Sequence, residues 1–178
     1  MTDHFTRLGL PRRFVLDAGE IERQYLARSR VVHPDYHAAG PSADLAASLD
    51  VSAALNGAYT TLREPFTRAE YLLMLEGGPS AAEHKQMAPA FLAEMLEARE
   101  KLEEVRSGET PCSSAMFELA EEFGTRYEGL MASVGKLFAE LEALPPDAAR
   151  RLAVRTGIRA NLNAAKYVRG LVRDLNAD

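Results

Sequence analysis

His33-Pro34-Asp35 follows a basic helical stretch, Glu22-Arg23-Gln24-Tyr25-Leu26-Ala27-Arg28-Ser29-Arg30, and cannot continue it. Proline has no amide proton for the helical ladder and pushes the residue before it toward extended geometry, so His33 leaves the helix and enters a loop. An imidazole is thereby presented beside a carboxylate. Leu55-Asn56-Gly57-Ala58-Tyr59 lies on the next helical pattern, so the tripeptide is the connection of a helical hairpin. Working outward, residues 3–8 read as a short helix stopped by Gly9-Leu10-Pro11. Asp17 reads as an N-cap with Glu20 completing a capping box, and the helix it opens runs to about residue 32 with Ile21, Tyr25 and Val32 on one face. A third helix is expected over 42–63, burying Leu49, Leu55, Tyr59 and Leu62. Pro65 opens a fourth, which carries Phe66, Tyr71, Leu72 and Leu75.

Glu76-Gly77-Gly78-Pro79-Ser80 breaks that helix, and the chain divides there into residues 1–76, a linker at 77–82 and a second domain at 83–178. Pro89 begins a helix to about residue 106, with Phe91, Met95, Ala98, Leu102 and Val105 in one stripe. A long helix follows, in which Met116, Ala120, Phe123, Tyr127, Leu130, Val134, Leu137 and Leu141 form a bundle seam. Leu144-Pro145-Pro146-Asp147 ends it, and the last helix carries Ile158, Leu162, Ala165, Val168, Val172 and Leu175. Strand-like alternation is nearly absent. The expected fold is all-α, a helical hairpin domain followed by an antiparallel three-helix bundle.

The 178 residues are 47% apolar and 26% charged, an ordinary globular composition. A net charge of -5 disfavours nucleic acid as the main partner, although residues 147–178 hold seven Lys or Arg against three Asp. No apolar run approaches the roughly 20 residues of a membrane span. The single cysteine, Cys112, permits no internal disulfide, and the first residues lack the features of a signal or transit segment, so a cytoplasmic protein is expected.

Taken together, the basic helix, His33-Pro34-Asp35, the run Leu55-Asn56-Gly57-Ala58-Tyr59-Thr60-Thr61-Leu62-Arg63-Glu64-Pro65 and Arg68-Ala69-Glu70-Tyr71 resemble a J-domain. Such domains engage seventy-kilodalton heat-shock chaperones of the DnaK and HscA type. The opening Asp3-His4-Phe5-Thr6-Arg7-Leu8-Gly9-Leu10-Pro11, the phrase Arg68-Ala69-Glu70-Tyr71-Leu72-Leu73-Met74-Leu75 and the helical second domain narrow the resemblance to the HscB family, J-type co-chaperones of iron–sulfur cluster assembly. Arg28 stands where that family often has an apolar residue. The paired-cysteine extension of some eukaryotic relatives is missing, so the bacterial form is expected.

The resemblance implies a non-enzymatic co-chaperone without cofactor or metal. Its loop, His33, Pro34 and Asp35, and its basic face, Arg23 and Arg30, would bind the chaperone and stimulate its ATPase. Arg23 and Arg30 lie seven apart, hence on one helical face, where they can steer an acidic partner. In the second domain Leu92 and Leu96 lie off the core stripe, on a flank shared with Glu97, Glu100 and Glu104. These are the positions at which HscB-like proteins bind the IscU-type scaffold, and Tyr167, roughly opposite the last helix's core stripe, matches an aromatic contact.

Other readings rank lower. A general J-type co-chaperone with another client is the nearest alternative. A metal-dependent hydrolase would use His33, Asp35 and His37, but Pro34 denies the two imidazoles a common helical face. His4 and His84 have no ligand pattern and are expected in solvent. Cys112 has no identifiable base, and the row Arg151, Arg155 and Arg159 is expected to be a solvated face, or one paired with acidic helices, before a nucleic-acid contact.

Overall fold

A computed structural model describes residues 2–31, 42–85, 87, 89–107 and 113–175. His33-Pro34-Asp35, Tyr36, His37 and Cys112 lie outside the described residues. The rest is helical: α1 (His4–Leu8), α2 (Ala18–Val31), α3 (Ser42–Arg63), α4 (Pro65–Leu75), α5 (Pro89–Ser107), α6 (Ser113–Ala143) and α7 (Arg150–Leu175), with no strand among the described residues. None of these helices is long and apolar enough to cross a membrane. The chain forms two compact units, Met1–Leu72 and Leu73–Asp178.

In the first unit α1 packs on α2 and α3, and α2 packs on α3. Phe5, Leu8, Ile21, Leu55, Ala58 and Leu62 form its buried centre. Asp3 caps α1: its carboxylate accepts from the Thr6 amide at 3.0 Å and from Arg12 Nε at 3.0 Å. Burial alone would raise this carboxyl, but those hydrogen bonds and the Arg12 charge outweigh it and hold the pKa at about 2. Gly9, at φ 65°, ends α1 in a left-handed cap; its amide bonds Thr6 O and that of Leu10 bonds Phe5 O. The Arg28 guanidinium lies over Gly9, so that a Cβ built there would stand 1.9 Å from its Nη2. A polar side chain thus covers a residue that has no side chain of its own.

Asp17 caps α2 by accepting from the Glu20 amide at 2.7 Å. The expected capping box is only half formed, because the Glu20 carboxylate accepts instead from Gln24 at 2.7 Å and Arg23 at 2.5 Å. Leu49, expected in the core, is 52% exposed. At about 100° per residue it lies about 120° from Leu55, whereas Ser48, seven residues before Leu55, shares its face and is buried. His4, expected in solvent, stacks on Tyr71 at 4.3 Å with its Nδ1 buried, and burial followed by the Arg7 charge lowers its pKa. Arg68 is 6% exposed; it donates to Leu62 O at 2.6 Å and lies over the Phe14 ring, and its burial disfavours the charged form.

The second unit begins inside α4. Gly77, at φ 67°, ends that helix: its amide bonds Met74 O and that of Gly78 bonds Leu73 O. The segment that follows is fastened to α7. Arg151 pairs with Glu76 at 2.6 Å, Arg155 donates to Glu76 O at 2.7 Å, Arg159 to Pro79 O at 2.9 Å, and Asn163 to His84 O at 2.7 Å. The arginine row is therefore not a solvated face. Arg151 meets the Glu76 carboxylate, Arg155 and Arg159 satisfy carbonyls of the 76–79 strap, and Arg159 is 3% exposed.

Helices α5, α6 and α7 pack on one another pairwise. The α5 stripe is as expected, with Phe91, Met95, Ala98 and Leu102 buried and Val105 partly so. On α6 the buried set includes Leu119, Met131 and Phe138, which the seven-residue seam omitted. At about 100° per residue Phe138 repeats the phase of Ala120 and Met131 lies about 20° from it, while Leu119 flanks the other edge, so the inward face is broader than a seam of two positions per heptad.

Candidate functional site

On α2, Ile21 is fully buried and Tyr25 stacks on Tyr59 at 4.2 Å while its hydroxyl donates to Asn56 Oδ1 at 2.9 Å. These contacts fix which side of α2 meets α3. Arg23 and Arg30 point the other way and are exposed. Arg23 is ion-paired with Glu20 at 2.5 Å within its own helix, and hydrogen bonds from Gln24 and then Arg23 keep the Glu20 carboxyl below its usual range. Leu26, 45% exposed, lies about 60° from Arg23 and about 40° from Arg30 in helical phase, on the same outward side. The charge pattern of this helix does not mark it; its position off the core stripe does. His33, Pro34 and Asp35 would follow this helix, outside the described residues.

In the second unit Leu92 and Leu96 are 45% and 59% exposed, beside the buried Phe91 and Met95. Glu97, Glu100 and Glu104 are exposed as well. They do not form one flank. Glu97 lines a groove of about 610 Å³ between α5 and α6, together with Lys101, Glu122 and Arg126, whereas Leu92 and Leu96 turn toward the α7 side. Glu94 and Arg126 are ion-paired across that first groove. Tyr167 is not opposite the core stripe of α7: it is half-buried, edge-on to Phe91 with ring centroids 6.4 Å apart, and lines a second groove between α5 and α7. The aromatic contact to Phe91 turns it inward, a tertiary effect that phase on one helix does not contain. Among the described residues no three His, Cys, Asp or Glu side chains converge as a metal site.

Comparison with known proteins gives the class first. The helical fold is that of a solved chaperone: the chain matches the chaperone HscB from Vibrio cholerae with a TM-score of 0.80 and 26% identity, over 98% of this chain and 95% of that one. Human co-chaperone HscB has the same fold, with a TM-score of 0.81 at 23% identity over 98% of this chain and 80% of that one. The model described as the HSCB C-terminal oligomerisation domain matches residues 87–164, which contain α5, α6 and most of α7. The chain thus carries an HSCB C-terminal domain match together with the fold of solved HscB chaperones.

Proposed function

We propose that this chain is a two-ended co-chaperone of iron–sulfur cluster assembly. Residues 1–76 act as a J-domain, in which His33, Pro34 and Asp35 with Arg23 and Arg30 engage a DnaK- or HscA-type chaperone and stimulate its ATPase. Residues 83–178 carry an IscU-type scaffold on Leu92, Leu96, Glu97, Glu100, Glu104 and Tyr167, and 77–82 joins the two parts. The observation that carries this reading is the exposure of Leu92 and Leu96 on the helix that the HscB domain model matches.

Stimulation in trans needs no proton transfer by His33. A J-domain that binds the hydrolysis-competent state of the chaperone better than the resting state shifts the population toward hydrolysis. Asp35 is suited to accept a charge-assisted hydrogen bond from a partner arginine, and Arg30 to attract an acidic surface. Arg23 is already paired with Glu20, so its engagement exchanges one exposed ion pair for another, a small net change.

The expected outcome for His33→Gln is loss of stimulation of the cognate chaperone's ATPase with the far-ultraviolet helical signal unchanged. Stimulation equal to that of the parent chain would overturn the J-domain reading. Because the matched domain model is described as an oligomerisation domain, a second reading gives the exposed α5 leucines to another copy of the chain. Sedimentation at the concentrations of the binding assay separates the two readings.

A further inference from the structure

Among the described residues of the first unit, His4 is the side chain whose type titrates near neutral pH. Its imidazole stacks on the Tyr71 ring of α4, with centroids 4.3 Å apart and planes 22° from parallel, and its backbone amide donates to the Tyr71 hydroxyl at 3.1 Å. Phe5, next to it and fully buried, lies 6.0 Å from the same ring. With five residues α1 cannot hold a helix by itself, so these contacts and the burial of Phe5 and Leu8 keep it in place. One histidine and one tyrosine thereby fasten the short helix to α4.

The fastening suits the neutral ring. Nδ1 of His4 is buried and has no hydrogen-bond partner. A neutral imidazole can carry its proton on Nε2 and leave Nδ1 bare, whereas the charged ring carries a proton on both nitrogens and has no acceptor for the buried one. Arg7, one turn on, adds a like charge. Asp3 and the face of Tyr71 act the other way and favour a cation. Asp3 is already engaged by the Thr6 amide and by Arg12, and burial and then Arg7 prevail over it, which keeps the imidazole below its ordinary range. Asp3, Arg7 and Tyr71 are the titratable groups that face the ring. Helices α2 and α3 pack on α1, whose buried residues are Phe5 and Leu8, and no charge of theirs acts on the imidazole.

We infer that the His4–Tyr71 stack is a pH-sensitive clasp, which holds α1 on α4 while the imidazole is neutral and releases it when Nδ1 takes a proton. In the open form the ring meets water and takes its proton near the ordinary 6.5, so below that pH the open form binds more protons than the closed one. Closure is therefore complete above about pH 7 and weakens as the pH falls through 6.5, by at most about a factor of ten per pH unit. The second unit has no histidine in its buried core and does not share this dependence. Acidification thus loosens the half of the chain that carries the proposed J-domain and leaves the other half closed.

The test reads the ring and the two units separately in the full chain. Proton–carbon NMR of the His4 imidazole should give a titration midpoint below 6.5. Urea titrations followed by amide signals of α1 and α3 should show the opening constant of the first unit rise about three- to tenfold between about pH 7.5 and about pH 5.5, while signals of α6 and α7 change less than about twofold. His4→Phe keeps a ring on Tyr71 without a titrating nitrogen and should abolish the rise, with His33, His37 and His84 still in place. A midpoint at or above 6.5, a rise that survives His4→Phe, or an equal rise in both units would overturn the proposal. Should the phenylalanine variant fail to fold, the imidazole midpoint and the comparison of the two units in the parent chain still decide.

Discussion

Replacing Leu92 and Leu96 together by alanine is the most direct probe of the proposed client-docking end. In the free chain the two side chains leave 45% and 59% of their surface open, together about one leucine's worth of apolar area. Burying one leucine side chain completely contributes roughly 1.5–3 kcal/mol. If docking covers what is now open, the double substitution weakens scaffold binding about 10- to 150-fold, at about 1.4 kcal/mol per factor of ten. The same open area contributes nothing to folding, and Phe91 and Met95 continue to anchor α5, so the thermal midpoint should change little. Titration calorimetry with the cognate scaffold reads the affinity, and Leu152→Ala serves as the control, an α7 leucine 64% exposed and outside the proposed face. A loss smaller than about threefold, or an equal loss in the control, would refute the reasoning.

Two further outcomes concern the first unit. The Asp3 carboxyl titrates at about 2 when folded against an ordinary 3.8, so between these values the unfolded chain binds more protons; its stabilisation, about 2 kcal/mol, is complete above pH 4 and lost as the pH falls toward 2. Asp3→Asn should therefore destabilise α1 at pH 7 by about 1–2 kcal/mol, a deficit that shrinks toward zero near pH 2 in urea titrations followed by amide exchange of α1 and α3; a deficit independent of pH would contradict this. Gly9→Ala should cost about 1–2 kcal/mol, since alanine is strained at φ 65° and its Cβ displaces the Arg28 guanidinium. In an Arg28→Ala background only the backbone part, about 1 kcal/mol, should remain, and an undiminished cost would remove Arg28 from the account.

Much of this architecture is legible in the sequence because local rules and tertiary structure agree. Pro65 and Pro89 open helices, Gly9 and Gly77 close them, and the α5 stripe from Phe91 to Leu102 is buried as its spacing requires. The departures come where tertiary context decides. Leu49 was placed by type and not by angle from Leu55. The α6 seam of two positions per heptad is narrower than the face that two neighbouring helices bury, which takes in Leu119, Met131 and Phe138 as well. Arg68 and Arg159 are buried where backbone carbonyls from outside their own helices, Leu62 O and Pro79 O, receive them, and no pattern on their own helices announces those acceptors. At the candidate site the exposure of Leu92 and Leu96 was legible, whereas the separation of Glu97 from them needed the position of α6. The inward turn of Tyr167 needed Phe91.

The arginine row on α7 bears on how the second unit should be cut out of the chain. A fragment starting at residue 83 would keep Arg151, Arg155 and Arg159 but discard the Glu76 carboxylate and the carbonyls of Glu76, Gly77 and Pro79 that receive them. Arg159, nearly sealed from water, would lose an acceptor while retaining its charge. The smallest self-sufficient piece therefore starts no later than Leu73, where the compact unit itself begins, and includes the last turn of α4.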